Sequence, residues 1–287
     1  MQEDIEWTSY LAQSDLLWNR IPAGWEEAPF VGNGLLGSML FRHNDHEIKI
    51  QIGRGDVQEH RMASGKHATG SVLPDSSRLP IGYFTLRTKG KITGCNLRLD
   101  LWDAQIEGRL LTGRGAVYLT CFAHSRRNLL VVHVRPEAGE KQVQFIWHAH
   151  EAFCPRVKGK RKRSPHAYSK YDGNPPPIIT HAGNQHYCIQ NLYGGGQTVT
   201  AWTIRKTEDG QTLLVSVAHT YPQVNAKELA QQELASGARE TLESLKRSHQ
   251  LWWHNFFPKS FVSLPDLRME SFLWIQNYKM ASTTMGG

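Results

Sequence analysis

The feature that most constrains the fold is a series of short segments in which polar and apolar residues alternate, separated by turn residues at roughly ten-residue spacing. Asn96 to Trp102 reads NLRLDLW, so that Leu97, Leu99 and Leu101 share one face. Alternation of this kind is typical of a half-buried β-strand, because successive side chains of a strand point to opposite faces. A long series of such strands predicts an antiparallel sandwich or barrel.

The window from Ala28 to Asp56 combines several of these signals. Gly32-Asn33-Gly34 is a turn cluster, since glycine and asparagine tolerate left-handed backbone. Two predicted strands follow, Leu35 to Phe41 and Glu47 to Ile52, and then the polar loop Gly53-Arg54-Gly55-Asp56. The spacing Gly-x-Gly-x-x-Gly occurs here, but it precedes a strand rather than a helix, which excludes a dinucleotide-binding loop.

Further strands are predicted along most of the chain. They are Asp15 to Trp18, Gly82 to Thr88, Asn96 to Trp102, Asp103 to Leu111, Ala116 to Ala123, Asn128 to Val134, Gln142 to His148, His186 to Leu192, Thr198 to Lys206 and Thr212 to Thr220. Two irregular stretches interrupt them: the polar loop 60–80, and an insertion at 150–183. Loops of this length in a compact domain are usually functional or mobile.

The apolar period changes from 2 to 3.6 at Asn225, which reads as a helix N-cap with Glu228 completing a near capping box. A helix is predicted through about Trp253, with a break near Ser236-Gly237, and a second helix from Asp266 to Met280. The second helix is apolar on much of its surface, which is typical of a helix buried in a larger body. The chain therefore divides into a β domain, 1–222, and a helical region, 223–287.

Composition limits the function classes. Of 287 residues, 40% are hydrophobic and 21% are charged, and no apolar run approaches the ~20 residues of a membrane span, so no membrane partner is expected. The net charge is +7, but Lys158 to Arg163 supplies much of it. We interpret that run as a solvated loop, and nucleic acid is not an expected partner because no basic helix face lies beside base-stacking aromatics.

Localisation stays open at this stage. The first ten residues lack the basic and apolar regions of a signal peptide. The protein is expected to be periplasmic or secreted if such a peptide is removed, and cytoplasmic otherwise.

Motifs for catalysis or metal binding are weak. Asp100 with Asp103, Glu26 with Glu27, and Glu151 are interpreted as surface carboxylates, and there is no Gly-x-Ser-x-Gly elbow. His148 and His150 share a strand face, but no third ligand is evident, so neither a metal nor another cofactor is expected. Cysteines at 95, 121, 154 and 188 are interpreted as mostly buried thiols, with a single disulfide left open.

An ordered set of motifs resembles the α-L-fucosidase-like glycoside hydrolases (family 95 and relatives). The stretch from Gly24 to Phe41, GWEEAPFVGNGLLGSMLF, is similar to the opening motif of that family. Leu79 to Leu86 and Leu97 to Ala104 resemble two of its strands. Ser271 to Ser282 resembles the first helix of the family's six-hairpin α-barrel.

The resemblance implies a mainly β fold, an antiparallel β-supersandwich over 1–222, followed by a linker helix and the start of an (α/α) barrel in 223–287. In that family the catalytic carboxylates belong to the barrel, so no catalytic residue is carried over to this chain. Where the fucosidases have a run similar to N-E-D-T-L-W, this chain has Gly53 to Gln58, and only Asp56 is comparable. A sugar specificity other than fucose is therefore expected.

The leading hypothesis is a non-catalytic N-terminal sandwich that supports the barrel and contributes loops to a carbohydrate site. Residues 53–80 form the expected rim, with Arg54, Asp56, His60 and Arg61 as sugar contacts. The expected partners are a carbohydrate and a C-terminal catalytic barrel. Two alternatives stay open: a stand-alone carbohydrate-binding module with an exposed aromatic platform, and a polyanion-binding protein that uses Lys158 to Arg163.

Overall fold

Two antiparallel sheets dominate the computed structural model, which describes residues 5–284. Within that range the strands are β1 Leu16–Trp18, β2 Phe30–Gly32, β3 Leu36–Asn44, β4 Glu47–Arg54, β5 Gly82–Arg87, β6 Ile92–Asp100, β7 Gln105–Thr112, β8 Gly115–Ala123, β9 Leu129–Pro136, β10 Gln144–Ala149, β11 Ile178–Ala182, β12 Gln185–Asn191, β13 Gln197–Lys206 and β14 Gln211–Thr220. Nine strands form the larger sheet in the order β1-β6-β7-β8-β9-β14-β13-β12-β11. Five form the smaller sheet in the order β10-β5-β4-β3-β2. The predicted mainly β sandwich is confirmed.

The core lies between the sheets, where the alternating residues meet. Ile48, Ile50 and Ile52 of β4 are at most 1% exposed, and Leu97 and Leu99 of β6 belong to the same apolar cluster. Full burial of one such side chain contributes roughly 1.5–3 kcal/mol. A shift of either strand by one residue would turn this set toward solvent, so the alternating pattern fixes the register.

The register also defines two ends of the sandwich. β4 ends at Arg54 and β14 ends at Thr220 on one side, which we name the upper end; there Arg54 Nη1 donates to the Val217 carbonyl across the two sheets. β4 begins at Glu47 and β14 begins at Gln211 on the opposite side, the lower end. At the lower end, Gln211 Nε2 donates to the Val143 carbonyl at 2.8 Å.

Six α-helices complete the described part of the chain: α1 Trp7–Ala12, α2 Val72–Asp75, α3 Pro155–Arg163, α4 Ala226–Ala238, α5 Leu242–Phe256 and α6 Leu267–Thr284. Short 3₁₀ turns occur at Trp25–Glu27, Ala138–Glu140 and Phe257–Ser260. The prediction of a helix that begins after Asn225 is confirmed. The predicted capping box is wrong, because the Asn225 side chain makes no cap hydrogen bond.

The C-terminal helices pack on the sandwich in two ways. α4 lies across β13 and β14 through Ala230 and Leu234, which are buried in a second apolar cluster. α5 and α6 contribute Trp253, Trp274 and Tyr278 to the main core, each at most 1% exposed. The helix predicted from Asp266 to Met280 is thus confirmed.

One face of α6 stays open to solvent. Met269, Phe272 and Met280 are more than half exposed, at 56%, 58% and 61%, whereas Trp274 and Tyr278 on the opposite face are buried. Apolar side chains on both faces explain why the sequence pattern of this helix lacks a polar side.

The predicted turn at Gly32-Asn33-Gly34 fastens the smaller sheet to the larger one. Asn33 is buried, and its Nδ2 donates to the carbonyls of His124 (2.9 Å) and Arg127 (2.7 Å). Its Oδ1 accepts the Leu36 N–H at 2.8 Å, and Gly34 has φ of 83°. Every polar atom of the buried amide is therefore used, which is the condition for burying it without cost.

The insertion at 150–183 is more ordered than predicted. The basic run Lys158 to Arg163 lies in α3, so its interpretation as a loop is wrong. The helix is held by Val157, which is buried against Cys154 and Tyr171, and by Arg161, whose Nη2 donates to the carbonyl of Tyr171 at 2.7 Å. The sequence pattern hid this helix because its single buried position offers no apolar period.

Two other expectations concern buried groups. All four cysteines are free and buried, so the disulfide left open above is contradicted. Asp100 is 6% exposed and pairs with Arg98, so its interpretation as a surface carboxylate is wrong. Burial also raises the pKa of the neighbouring Asp15, which shares Arg98, to about 6.

Among residues 5–284, no helix has the length and apolar character needed to cross a membrane.

Candidate functional site

The upper end of the sandwich gathers the polar groups that stand out in the structure. Asp56 and His60 follow β4, and His219 and Tyr221 lie where β14 ends. The side chain of His60 meets both His219 and Tyr221, although 159 residues separate the two histidines. Loop 60–80 and the end of β14 therefore form one polar surface.

Arg54 holds Asp56 in place. Arg54 Nε donates to Asp56 Oδ1 at 2.7 Å, and Nη2 donates to Oδ2 at 3.0 Å. The Arg54 side chain is 7% exposed, whereas that of Asp56 is 40% exposed. A bidentate pair with a buried guanidinium fixes both position and orientation of the carboxylate. Asp56 is thus the member of the pair that is open to solvent, whereas Arg54, predicted as a sugar contact, is largely buried and positions it.

The two histidines form a neutral pair. The Nε2 atoms of His60 and His219 are 2.8 Å apart, and His219 Nδ1 is 2.8 Å from Thr198 Oγ1. Burial lowers the pKa of His60, and burial lowers the pKa of His219 to about 4. At neutral pH one ring therefore donates through Nε2 and the other accepts, which leaves a hydrogen-bonded chain that runs from the surface to Thr198.

Three glycines bring these elements together. The turn Gly194-Gly195-Gly196 joins β12 to β13. A Cβ on Gly194 would lie 2.6 Å from the backbone of His60 and Arg61, and one on Gly196 would lie 2.4 Å from the Thr220 carbonyl. The absence of side chains there lets the His60 ring stack on Tyr221 with centroids 3.9 Å apart.

Arg61 lies beneath this surface rather than on it. Its side chain is 1% exposed, and its Nε is 3.1 Å from the buried carboxylate of Glu59. The guanidinium is stacked between Tyr171 (4.2 Å) and Tyr193 (4.7 Å). This burial removes Arg61 from the residues that can touch a ligand, contrary to the sequence-based expectation.

The carboxylate of Glu59, the residue that precedes loop 60–80, binds the 150–183 insertion. It accepts hydrogen bonds from Tyr171 Oη (3.1 Å) and Asn174 Nδ2 (3.0 Å), both in the 150–183 insertion. A buried carboxylate with this many donors is stable only while all of them stay in place. Loop 60–80 and the insertion therefore form one layer over the upper end.

Two grooves flank Arg54. The larger, about 500 Å³, runs between Gly32–Gly37, Gly53–Gly55, Arg78–Ile81 and the end of α6 at Ser282 and Thr283. The smaller, about 370 Å³, lies between β14 and α4 and is lined by Asn128, His219 and Glu233 among others. The larger groove is lined mainly by apolar and backbone atoms, and the smaller one by polar and apolar groups in similar measure. A mostly apolar groove with a few fixed polar groups beside it is typical of a small-molecule site.

His148 in β10 and His150 just after it both lie against the ring of Tyr83. His148 stacks on Tyr83 at 4.8 Å, and its Nε2 is 3.1 Å from Thr85 Oγ1. His150 lies 5.2 Å from the same tyrosine ring. No group of three or more metal-ligating side chains with suitable geometry occurs between residues 5 and 284.

Sequence reasoning missed His219, Tyr221, Thr198 and Glu59. His219 and Thr198 face each other in the β13–β14 register, but nothing near either residue indicates that His60 lies above them. The signal that the sequence does carry is the triple glycine Gly194-Gly195-Gly196, because glycines permit a close approach of two backbone segments.

Comparisons with known proteins identify a solved structure with a similar fold. No protein family model matches the sequence, and no curated protein matches it. Among solved structures, the chain is similar to one described as a putative kojibiose phosphorylase from the human microbiome, with a TM-score of 0.58 and 12% sequence identity. The match covers 88% of this chain but 36% of that chain. This likeness shows a shared fold, and it does not single out the α-L-fucosidase-like group.

Proposed function

We propose that this chain is the N-terminal sandwich portion of a carbohydrate-active enzyme related to the glycoside hydrolases. In this proposal residues 1–222 form the supporting domain, and residues 223–287 link it to a catalytic (α/α) barrel and begin that barrel. The sandwich is itself non-catalytic, and its upper end supplies part of the carbohydrate site. The structural neighbour, described as a kojibiose phosphorylase and much longer than this chain, supports this reading.

The observation that carries the proposal is the groove of about 500 Å³ at the upper end. Its walls include both Arg54, which holds Asp56, and Ser282 and Thr283 at the end of α6. In this proposal, helices that follow α6 stand beside Arg54, the residue that positions Asp56. The exposed Met269, Phe272 and Met280 offer these helices an apolar face to pack on.

The chemistry of the upper end favours binding over catalysis. Asp56 is neutralised by Arg54, and its pair partner is an arginine rather than a second carboxylate at the separation that glycosidases use. The carboxylate, the imidazole pair and the ring of Tyr221 can accept and donate hydrogen bonds to sugar hydroxyls. Fucose, glucose and other sugars would all satisfy these groups.

The activity of two polypeptides tests the proposal. Residues 1–287 alone should hydrolyse or phosphorolyse aryl glycosides and disaccharides no faster than a buffer control. The product of the complete reading frame, if it includes a helical barrel, should be active on one of them. Turnover by residues 1–287 alone at the rate of an ordinary glycosidase, a few per second or more, would contradict the proposal.

A stand-alone carbohydrate-binding module is the second candidate, and one residue favours it. Trp25 is 61% exposed, in a 3₁₀ turn beside Glu26 and Glu27, which is an arrangement that suits stacking on a sugar ring. Glycan-array binding by residues 1–287 that is lost in Trp25→Ala, but kept in Asp56→Asn, would favour this candidate over the first.

A further inference from the structure

The lower end of the sandwich carries a wide polar groove of about 880 Å³, far from the candidate site. Its walls are the end of β5, the end of β9, the segment that leads into β10, and the β13–β14 hairpin. We name it the basic groove, because five cationic residues line it: Arg87, Lys89, Arg135, Lys141 and Lys206.

Most of this positive charge lacks a local partner. Arg87 is paired with Glu47, whose carboxylate lies 2.5 Å from Arg87 Nε. Among the described residues, no carboxylate lies within 4.0 Å of the Lys89, Lys141 or Lys206 ammonium groups. Two acidic residues, Glu208 and Asp209, also line the groove, and Asp209 is turned into its own hairpin by Thr207 Oγ1 at 2.9 Å.

The backbone beside Lys89 is held by one buried carboxylate. Glu140 is fully buried, and its carboxylate accepts the N–H of Lys89 (2.7 Å), the N–H of Gly90 (2.8 Å) and the hydroxyl of Thr112 (2.6 Å). Gly90 has no space for a side chain, since a Cβ would lie 2.7 Å from Glu140. Glu140, the neighbour of Lys141 in the chain, therefore binds the backbone at Lys89, which brings the two lysines to the same wall of the groove with their side chains exposed.

The remaining lining distinguishes between classes of anion. No aromatic ring lines the basic groove in the described structure, so nucleotide bases find no stacking surface. Gln142 and Gln144 instead offer amide groups among the cations. These are groups that bind sugar hydroxyls, with lysines spaced between them for acidic substituents.

We infer that the basic groove binds an acidic oligosaccharide, with uronate carboxylates or sulfate groups on the lysines and hydroxyls on the glutamines. This inference is independent of the proposed function, because the groove and the candidate site lie at opposite ends of the sandwich. Binding should weaken as salt is raised, because the lysines are exposed and salt screens them.

Calorimetric titration of residues 1–287 at low salt tests the inference, with hexagalacturonate as probe and maltohexaose as its neutral counterpart. The double variant Lys141→Glu/Lys206→Glu should bind hexagalacturonate at least about tenfold more weakly. The matched control is Lys160→Glu/Lys162→Glu on α3. It changes the net charge of the protein by the same amount, but at another exposed basic surface. It should change the affinity less than about twofold.

Three results would overturn the inference. Equal weakening by both double variants would mean that hexagalacturonate responds only to net charge. If the unaltered protein does not bind hexagalacturonate, the groove is not a site for acidic oligosaccharides. Tighter, groove-dependent binding of a single-stranded oligonucleotide of equal charge would assign the groove to nucleic acid instead.

Discussion

The backbone N–H of Gly34 donates to the carbonyl of Ser282 at 2.8 Å, which joins the first tight turn of the sandwich to the end of its last helix. Gly32 in the same turn lies so close that a Cβ would be 2.5 Å from the Ser282 oxygen. Gly32 and Gly34 thus form the surface against which the end of α6 packs. Tyr278, one turn earlier, adds a hydrogen bond from its hydroxyl to the Phe30 carbonyl at 2.9 Å.

Gly32→Ala should loosen α6 from the sandwich. The new methyl group overlaps a backbone oxygen that cannot move independently, so we expect a loss of about 1–3 kcal/mol in the free energy of unfolding. Amide hydrogen exchange should accelerate in α6 more than in β3. Gly113→Ala is the matched control, because nothing lies within 4 Å of a Cβ at that position; equal effects of the two variants would contradict this account.

Arg54→Met should destabilise the protein although its ion pair lies near the surface. The variant leaves the Val217 carbonyl without its donor and frees Asp56, and we expect a loss of about 1–3 kcal/mol. Arg42→Met breaks the exposed pair with Asp45, and should cost less than about 1 kcal/mol. Urea denaturation of the two variants measures both losses, and a larger effect at Arg42 would refute the assigned role of Arg54.

Tyr171→Phe tests the link between loop 60–80 and the 150–183 insertion. The variant removes one of the donors to the buried Glu59 carboxylate, at an expected cost of about 1–3 kcal/mol. Limited proteolysis should then cut both stretches sooner, and at similar rates. Tyr118→Phe serves as control; if it opens these stretches as readily, the Glu59 network does not hold them.

Acid should destabilise the protein through His249, which joins α5 to the larger sheet. Its Nδ1 accepts the Ser125 N–H at 3.1 Å, and its Nε2 lies 3.1 Å from the Asp103 carbonyl. Burial lowers the pKa of His249 to about 3, and burial lowers the pKa of the adjacent His124 to about 4. The unfolded chain, where histidine titrates near pH 6.5, therefore binds more protons over this range, and stability falls as the pH drops below about 6.5.

The expected loss from His249 alone is roughly 2 kcal/mol between pH 7 and pH 5. Asp15 opposes the trend, since its raised pKa makes the folded state gain protons as the pH falls through about 6. Denaturant midpoints measured across this range should therefore show a smaller slope in His249→Asn than in the unaltered protein. The exposed His46→Asn should keep the slope, and an unchanged slope in His249→Asn would contradict the assignment.

The sandwich was predictable because its strands carry local information. The alternation in Glu47 to Ile52 and in Asn96 to Trp102 specifies strands whose apolar faces had to meet. The helix from Asn225 was equally visible from its period. α3 was not, because one buried valine and a run of basic residues leave no amphipathic pattern.

The candidate site was only half predictable. Asp56 and His60 were proposed from their place in and before a long polar loop, but His219 comes to His60 through a register set by β13 and β14. The burial of the two arginines was also not predictable from the sequence. Sequence gives no sign that Arg61 lies between two tyrosine rings, or that Arg54 faces the Val217 carbonyl rather than a ligand. Contacts between distant segments decide both points.

The effect of Asp56→Asn on kcat/KM, measured in the product of the complete reading frame, tests the central claim most directly. The substitution keeps the size of the side chain and alters a carboxylate of the upper end that is both fixed by Arg54 and exposed. We predict a fall of about tenfold or more at a temperature where the variant is still folded, since a lost hydrogen bond to a charged group costs about 1.5–3 kcal/mol. The melting temperature should also fall, because the largely buried Arg54 loses its ionic partner. Asp45→Asn, at an exposed surface pair, should leave kcat/KM unchanged; an Asp56→Asn enzyme that is equally unaffected would contradict a carbohydrate site at the upper end.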